Sequence, residues 1–122
     1  MSYSFKKQMK SFTFAWNGIL TCAGHEQNIK FHLLAAIAVI VAGFFFQITH
    51  IEWMVVMLCI GSVIAAELFN SAIERLVDLV SPERNRIAGE VKDIAAGAVL
   101  VTAIAAAIVG LIVFLPYILA LF

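Results

Sequence analysis

The chain has 122 residues, of which 63% are hydrophobic, and its formal net charge at pH 7 is zero. Soluble domains use about 45–50% apolar residues, so this composition excludes an ordinary water-soluble globule and points to a membrane protein. Charge neutrality argues against a nucleic-acid partner, and the length suits a single domain, residues 1–122. The two cysteines, Cys22 and Cys59, have no metal-ligand spacing and lie in apolar surroundings, so both read as small core residues.

Residues 1–24 have no continuous apolar run after the lysines and no small-residue cleavage site, which argues against a secretory signal. Phe5, Met9, Phe12, Trp16 and Ile19 recur at helical spacing, with Lys6, Lys10, Thr13 and Asn17 on the other side. That pattern predicts an amphipathic helix lying on the membrane surface. The polar segment GHEQNIKFH, residues 24–32, then breaks the pattern. Gly24 suggests a helix end or hinge, Lys30 suits a snorkelling side chain, and His32 on its own carries no assignment.

Three apolar segments follow, at about residues 31–51, 52–73 and 94–116, the last run continuing to Phe122. A spanning helix needs about 20 residues, so each is long enough. QITHIE joins the first two without a Lys or Arg. The second connection carries Arg75, Arg84, Arg86 and Lys92, and Pro82 stops the helix. The positive-inside rule puts the N-terminus and this basic loop in the cytoplasm, with QITHIE and the C-terminus outside. The predicted fold is therefore an all-α integral membrane protein, with an N-terminal interfacial helix and three transmembrane helices. In the third span, Ala103 with Ala107 and Ala106 with Gly110 form small-xxx-small pairs that let helix backbones approach closely.

The second span runs into ELFNSAIERLVD. Glu67, Asn70, Ser71, Glu74 and Asp78 project from one helical stripe, and seven residues of helix put Glu67 roughly 10 Å deeper than Glu74. An ionisable group at that depth is costly and is by default a functional candidate. A single thin bundle would struggle to hide Glu67, Asn70 and Glu74 from lipid, so the stripe predicts a homo-oligomer with a neighbour covering it. Ser71 reads as packing, and Asp78 as a partner for Arg75 or Arg84. Glu26, Glu67, Glu74, Asp78 and Asp93 are hard oxygen ligands, suited to Mg²⁺ and not to zinc or copper. Lys92 beside Asp93 offers a cation to a phosphate. There is no GxxxxGK[ST] loop, no GxGxxG and no HRD or DFG run, so soluble-kinase signatures are excluded. The residues alone reach a divalent-metal site at a membrane interface, with an ion channel or transporter as an equal alternative.

ELFNSAIERLVD, followed by KDIAAGAVL from Lys92, resembles the E-x-x-N-[ST]-A-I-E-x-x-V-D and [AV]-K-D-x-[AG]-[AS]-[AG]-A-V-L signature of the prokaryotic diacylglycerol kinase and undecaprenol kinase family. The E-x-N-x-x-F-H of residues 26–32, the IEWM of 51–54 and the GLIVFLP of 110–116 resemble its Gram-positive undecaprenol kinase branch. The resemblance implies a homotrimer in the bacterial plasma membrane, with sites shared between subunits near the cytoplasmic surface. It implies ATP-dependent phosphorylation of a lipid alcohol, undecaprenol first and diacylglycerol as the alternative. By the same resemblance Glu26 and Glu74 hold Mg²⁺ with the ATP phosphates, and Glu67 is the catalytic base at the lipid hydroxyl. Asn70, Lys92 and Asp93 lie around the phosphates and the headgroup, and Lys7 and Lys10 lie near positions where the family is basic. Phosphoryl transfer needs charge neutralisation and in-line positioning, which such residues supply. A pore would want polar groups along its whole span, and the outer half of each span here has almost none.

Overall fold

A computed structural model describes residues 4–122. They form four helices: α1 (Phe5–His25), α2 (Gln27–Phe46), α3 (His50–Val80) and α4 (Arg86–Leu119). α2, α3 and α4 are each long and apolar enough to cross a membrane. At 1.5 Å per residue, α3 is about 46 Å long, against about 30 Å of bilayer hydrocarbon. The apolar segments are thus the middles of longer helices. α3 carries the polar stripe without a break, and α4 starts at Arg86, ahead of the apolar run.

Local chemistry sets each boundary. The Ser4 side chain caps α1 by accepting from the Lys7 backbone N–H. α1 ends at Glu26, whose extended backbone also begins α2, and the Glu26 N–H closes on the Cys22 carbonyl at 2.9 Å. The hinge therefore falls on Glu26, two residues past the glycine that suggested it, and Gly24 stays helical. Gln47 ends α2 in the left-handed region at φ 52°, a conformation that costs a side-chain-bearing residue roughly 1–2 kcal/mol. Thr49 and Glu52 then form a reciprocal capping box that starts α3. Asn85 caps α4 by accepting from the N–H groups of Ile87 and Ala88.

α3 is the central helix, packed against α4 along most of its length and against α2 on another side, with α1 touching α2 and α3. The apolar core of Ile48, Val56, Val113 and Phe114 lies at the end away from the basic loop, with Phe46, Trp53 and Tyr117 against it. There the Tyr117 hydroxyl donates to Oε1 of Glu52, tying the end of α4 to the start of α3. Gly43 is required at this end, because a Cβ added to it would lie 2.6 Å from the Trp53 ring.

Within a single chain Glu67 and Asn70 are already only 2% and 6% exposed, with Ser71 at 4%, while Glu74 stays half-buried. The reason is that α2 begins as early as Gln27, and its first turns lie alongside the stripe.

Candidate functional site

The site is built where the start of α2 runs antiparallel to the polar stripe of α3. Oε1 of Glu26, at the α1–α2 junction, accepts a hydrogen bond from the Ser71 hydroxyl at 3.1 Å. Further along α2, Nε2 of His32 comes within 3.6 Å of Oε2 of Glu67. One turn from Glu67, the Asn70 amide donates a long bond, 3.5 Å, to Oε1 of Glu74. One chain thus strings Glu26, Glu67, Asn70 and Glu74 along a polar cluster of three separate contacts, Glu26 with Ser71, Glu67 with His32 and Asn70 with Glu74. Ser71, read from sequence as packing, is the side chain that ties Glu26 to it.

Two oxygens in this cluster, Oε2 of Glu67 and Oδ1 of Asn70, are buried without a hydrogen-bond partner. A buried acceptor left unmade costs roughly 1–3 kcal/mol, more for a charged group, and such atoms are rare in proteins. They mark a place where the chain forgoes stability in order to present acceptors.

Lys92 and Asp93 sit on the first turns of α4. Nζ of Lys92 pairs with Oδ1 of Asp78 at 2.6 Å, so the partner of Asp78 is Lys92 and neither Arg75 nor Arg84. The antiparallel packing of α3 on α4 explains this, since it places the ends of the two helices side by side. The pair is well exposed and screened by solvent, so it adds little to stability; its effect is to hold the ammonium one turn beyond Glu74. Asp93 is exposed, and the structure draws it into neither cluster.

The donor set is made of oxygen: the Glu26 and Glu74 carboxylates and the Asn70 amide. Among the described residues no three His, Cys, Asp or Glu converge as a metal cage. Mg²⁺ is commonly held by one or two carboxylates together with substrate phosphates, and these residues fit that mode.

Beside the cluster α2, α3 and α4 form an open apolar cavity of about 340 Å³, lined by Phe31, Val39, Ile60, Val63, Ala103 and Phe114 among others, with His32 at its polar end. Its size is that of a small-ligand site. Cys59 lines it, while Cys22 is buried as the sequence suggested. Small residues of α4, Ala103, Ala106, Ala107 and Gly110, line the cavity. At Gly110 an added Cβ would meet no atom within 4 Å in the single chain. His32 is the site residue that sequence reasoning passed over. It was visible as a lone polar side chain entering an apolar run, but its pairing depends on how α2 lies against α3.

Residues 13–114 match the family described as prokaryotic diacylglycerol kinase. The chain is 46% identical over 107 residues to an undecaprenol kinase of Bacillus subtilis, covering 88% of this chain and 87% of that protein. It is 39% identical over 112 residues to a diacylglycerol kinase of Synechocystis, covering 91% of this chain and 64% of that one. Against a diacylglycerol kinase of Escherichia coli it is 26% identical over 104 residues, covering 85% of each.

Proposed function

The chain belongs to the prokaryotic diacylglycerol kinase family, and from that premise we propose that it is a membrane lipid kinase that transfers a phosphoryl group from ATP to undecaprenol. The observation that carries this reading is the cluster of Glu26, Glu67, Asn70 and Glu74, with two unpaired buried oxygens, opening beside an apolar cavity. Such a site suits a substrate with one hydroxyl on a long apolar body. The cavity takes part of that body, and Glu67 accepts the hydroxyl proton. The hydroxyl oxygen attacks the γ-phosphorus, the bond to the bridging oxygen breaks, and ADP leaves with the electron pair.

Ser71 holds Glu26, and Asn70 steadies Glu74, so that both carboxylates face the phosphates. Glu26 and Glu74 are the residues that would hold Mg²⁺ with the phosphates, and the ion would supply charge neutralisation there. Lys92, kept beside the stripe by Asp78, adds a cation for the phosphates, with Asp93 next to it. The choice of undecaprenol is supported by the relative so named, at 46% identity, and by EQNIKFH, IEWM and GLIVFLP. Diacylglycerol is the alternative, supported by the relatives named for it.

The working assembly is a homotrimer in the bacterial plasma membrane. Its basic end, with the N-terminus, loop 81–85 and the site, faces the cytoplasm, as the distribution of Lys and Arg supports. α1 lies on the membrane surface and turns Phe5, Phe12 and Trp16, all exposed in the single chain, into lipid. The test is the purified protein with labelled ATP and Mg²⁺, offered undecaprenol and diacylglycerol in parallel. Labelled undecaprenyl phosphate is the expected product. A preference for diacylglycerol exchanges the two substrates, and no labelled lipid from either overturns the reading.

A further inference from the structure

Glu67 is 2% exposed and its Oε2 has no hydrogen-bond partner. A carboxylate so buried needs a donor or a countercharge nearby. Its own helix offers Asn70, whose amide is spent on Glu74. α4 brings only alanines such as Ala103 to this level of the cavity, and α1 brings Cys22 toward Ser71. α2 brings His32, with Nε2 at 3.6 Å from that oxygen. Glu26, also presented by the α2 junction, is engaged with Ser71. The imidazole is itself held: its ring stands nearly perpendicular to that of Phe31, with centroids 5.9 Å apart, and its side chain is only 17% exposed. It lines the polar end of the apolar cavity, where a lipid hydroxyl would enter.

We infer that His32 is the positioning residue of Glu67, aiming the free oxygen Oε2 at the mouth of the apolar cavity through the Nε2 to Oε2 contact. This rests on the reading of Glu67 as the base. At 3.6 Å the contact is longer than a hydrogen bond, so it guides the carboxylate while leaving that oxygen available to the substrate hydroxyl. His32 touches Glu67 and not the phosphates, so its effect falls on the transfer step and leaves ATP binding alone.

The test is a double-mutant cycle in the full-length protein, with undecaprenol in mixed micelles and label transfer as the readout. His32→Leu is expected to lower kcat roughly tenfold, within the range by which contacting residues couple, with the KM for ATP unchanged. His32→Gln, which keeps an N–H donor, recovers most of the loss. In a Glu67→Gln background His32→Leu has no further effect, because the group it aims is gone. An equal fractional loss in both backgrounds, or equal loss with Leu and Gln, overturns the inference. If His32→Leu fails to insert, His32→Asn, whose shorter amide is held away from Oε2, takes its place in the cycle. Near-normal turnover by Glu67→Gln alone sinks the reading of the base. A strongly impaired Glu67→Gln whose residual label transfer falls by the same factor again with His32→Leu sinks only the role of His32.

Discussion

Ser71 on α3 donates its hydroxyl to Oε1 of Glu26 at 3.1 Å, joining residues 45 apart in sequence. Glu26 stands at a one-residue break between two helices, so this bond fixes both the carboxylate and the angle at which α1 leaves α2. Hydrogen bonds to charged groups are worth about 1.5–3 kcal/mol. Ser71→Ala should therefore lower activity about tenfold or more and raise the Mg²⁺ concentration needed for half-maximal rate, with helical content unchanged by circular dichroism. An unaltered Mg²⁺ requirement would separate Ser71 from the metal site.

Glu74→Gln keeps the size of the side chain and can still bond Asn70, but removes the charge that faces the phosphates. Activity is expected to fall by about two orders of magnitude or more while the assembled state on gel filtration is retained. Glu26→Gln should behave alike. Near-normal turnover in either variant at saturating Mg²⁺ and ATP would refute the metal assignment.

At the opposite end of the bundle the Tyr117 hydroxyl bonds Glu52, which also serves the Thr49 capping box. Tyr117→Phe removes the donor from an already capped carboxylate, so it should lower the midpoint of thermal unfolding slightly. Turnover at 25 °C should stay close to that of the unmodified chain, since the site lies at the other end of α3. The check is a thermal unfolding curve set beside a rate. A large fall in kcat with unchanged stability would mean that the two ends are coupled.

Gly43→Ala pushes a methyl group against the Trp53 ring, where the nearest ring atom is 2.6 Å from the new Cβ. Overpacking of this kind costs about 1–3 kcal/mol. Trp53→Phe, which shortens the ring at the point of conflict, should restore part of the loss in the double variant. Independent, additive losses would show that the contact is not the cause.

The sequence by itself determined the membrane setting, the three apolar spans, the basic end and the placing of Glu67, Asn70, Ser71 and Glu74 on one stripe. These are properties of a single helix or a single loop, set by a period of 3.6 residues, by span length and by the run of charges. The tertiary structure decided what no one-dimensional pattern carries: that Glu26 is the hinge and is held by Ser71, that Asp78 pairs with Lys92, that α2 covers the stripe, and that His32 reaches Glu67. Each is a contact between helices, dependent on their register and crossing angle. The spacing along either helix is compatible with several such registers. Packing selects one of them, in which the buried oxygen of Glu67 lies opposite an imidazole at the end of an apolar cavity.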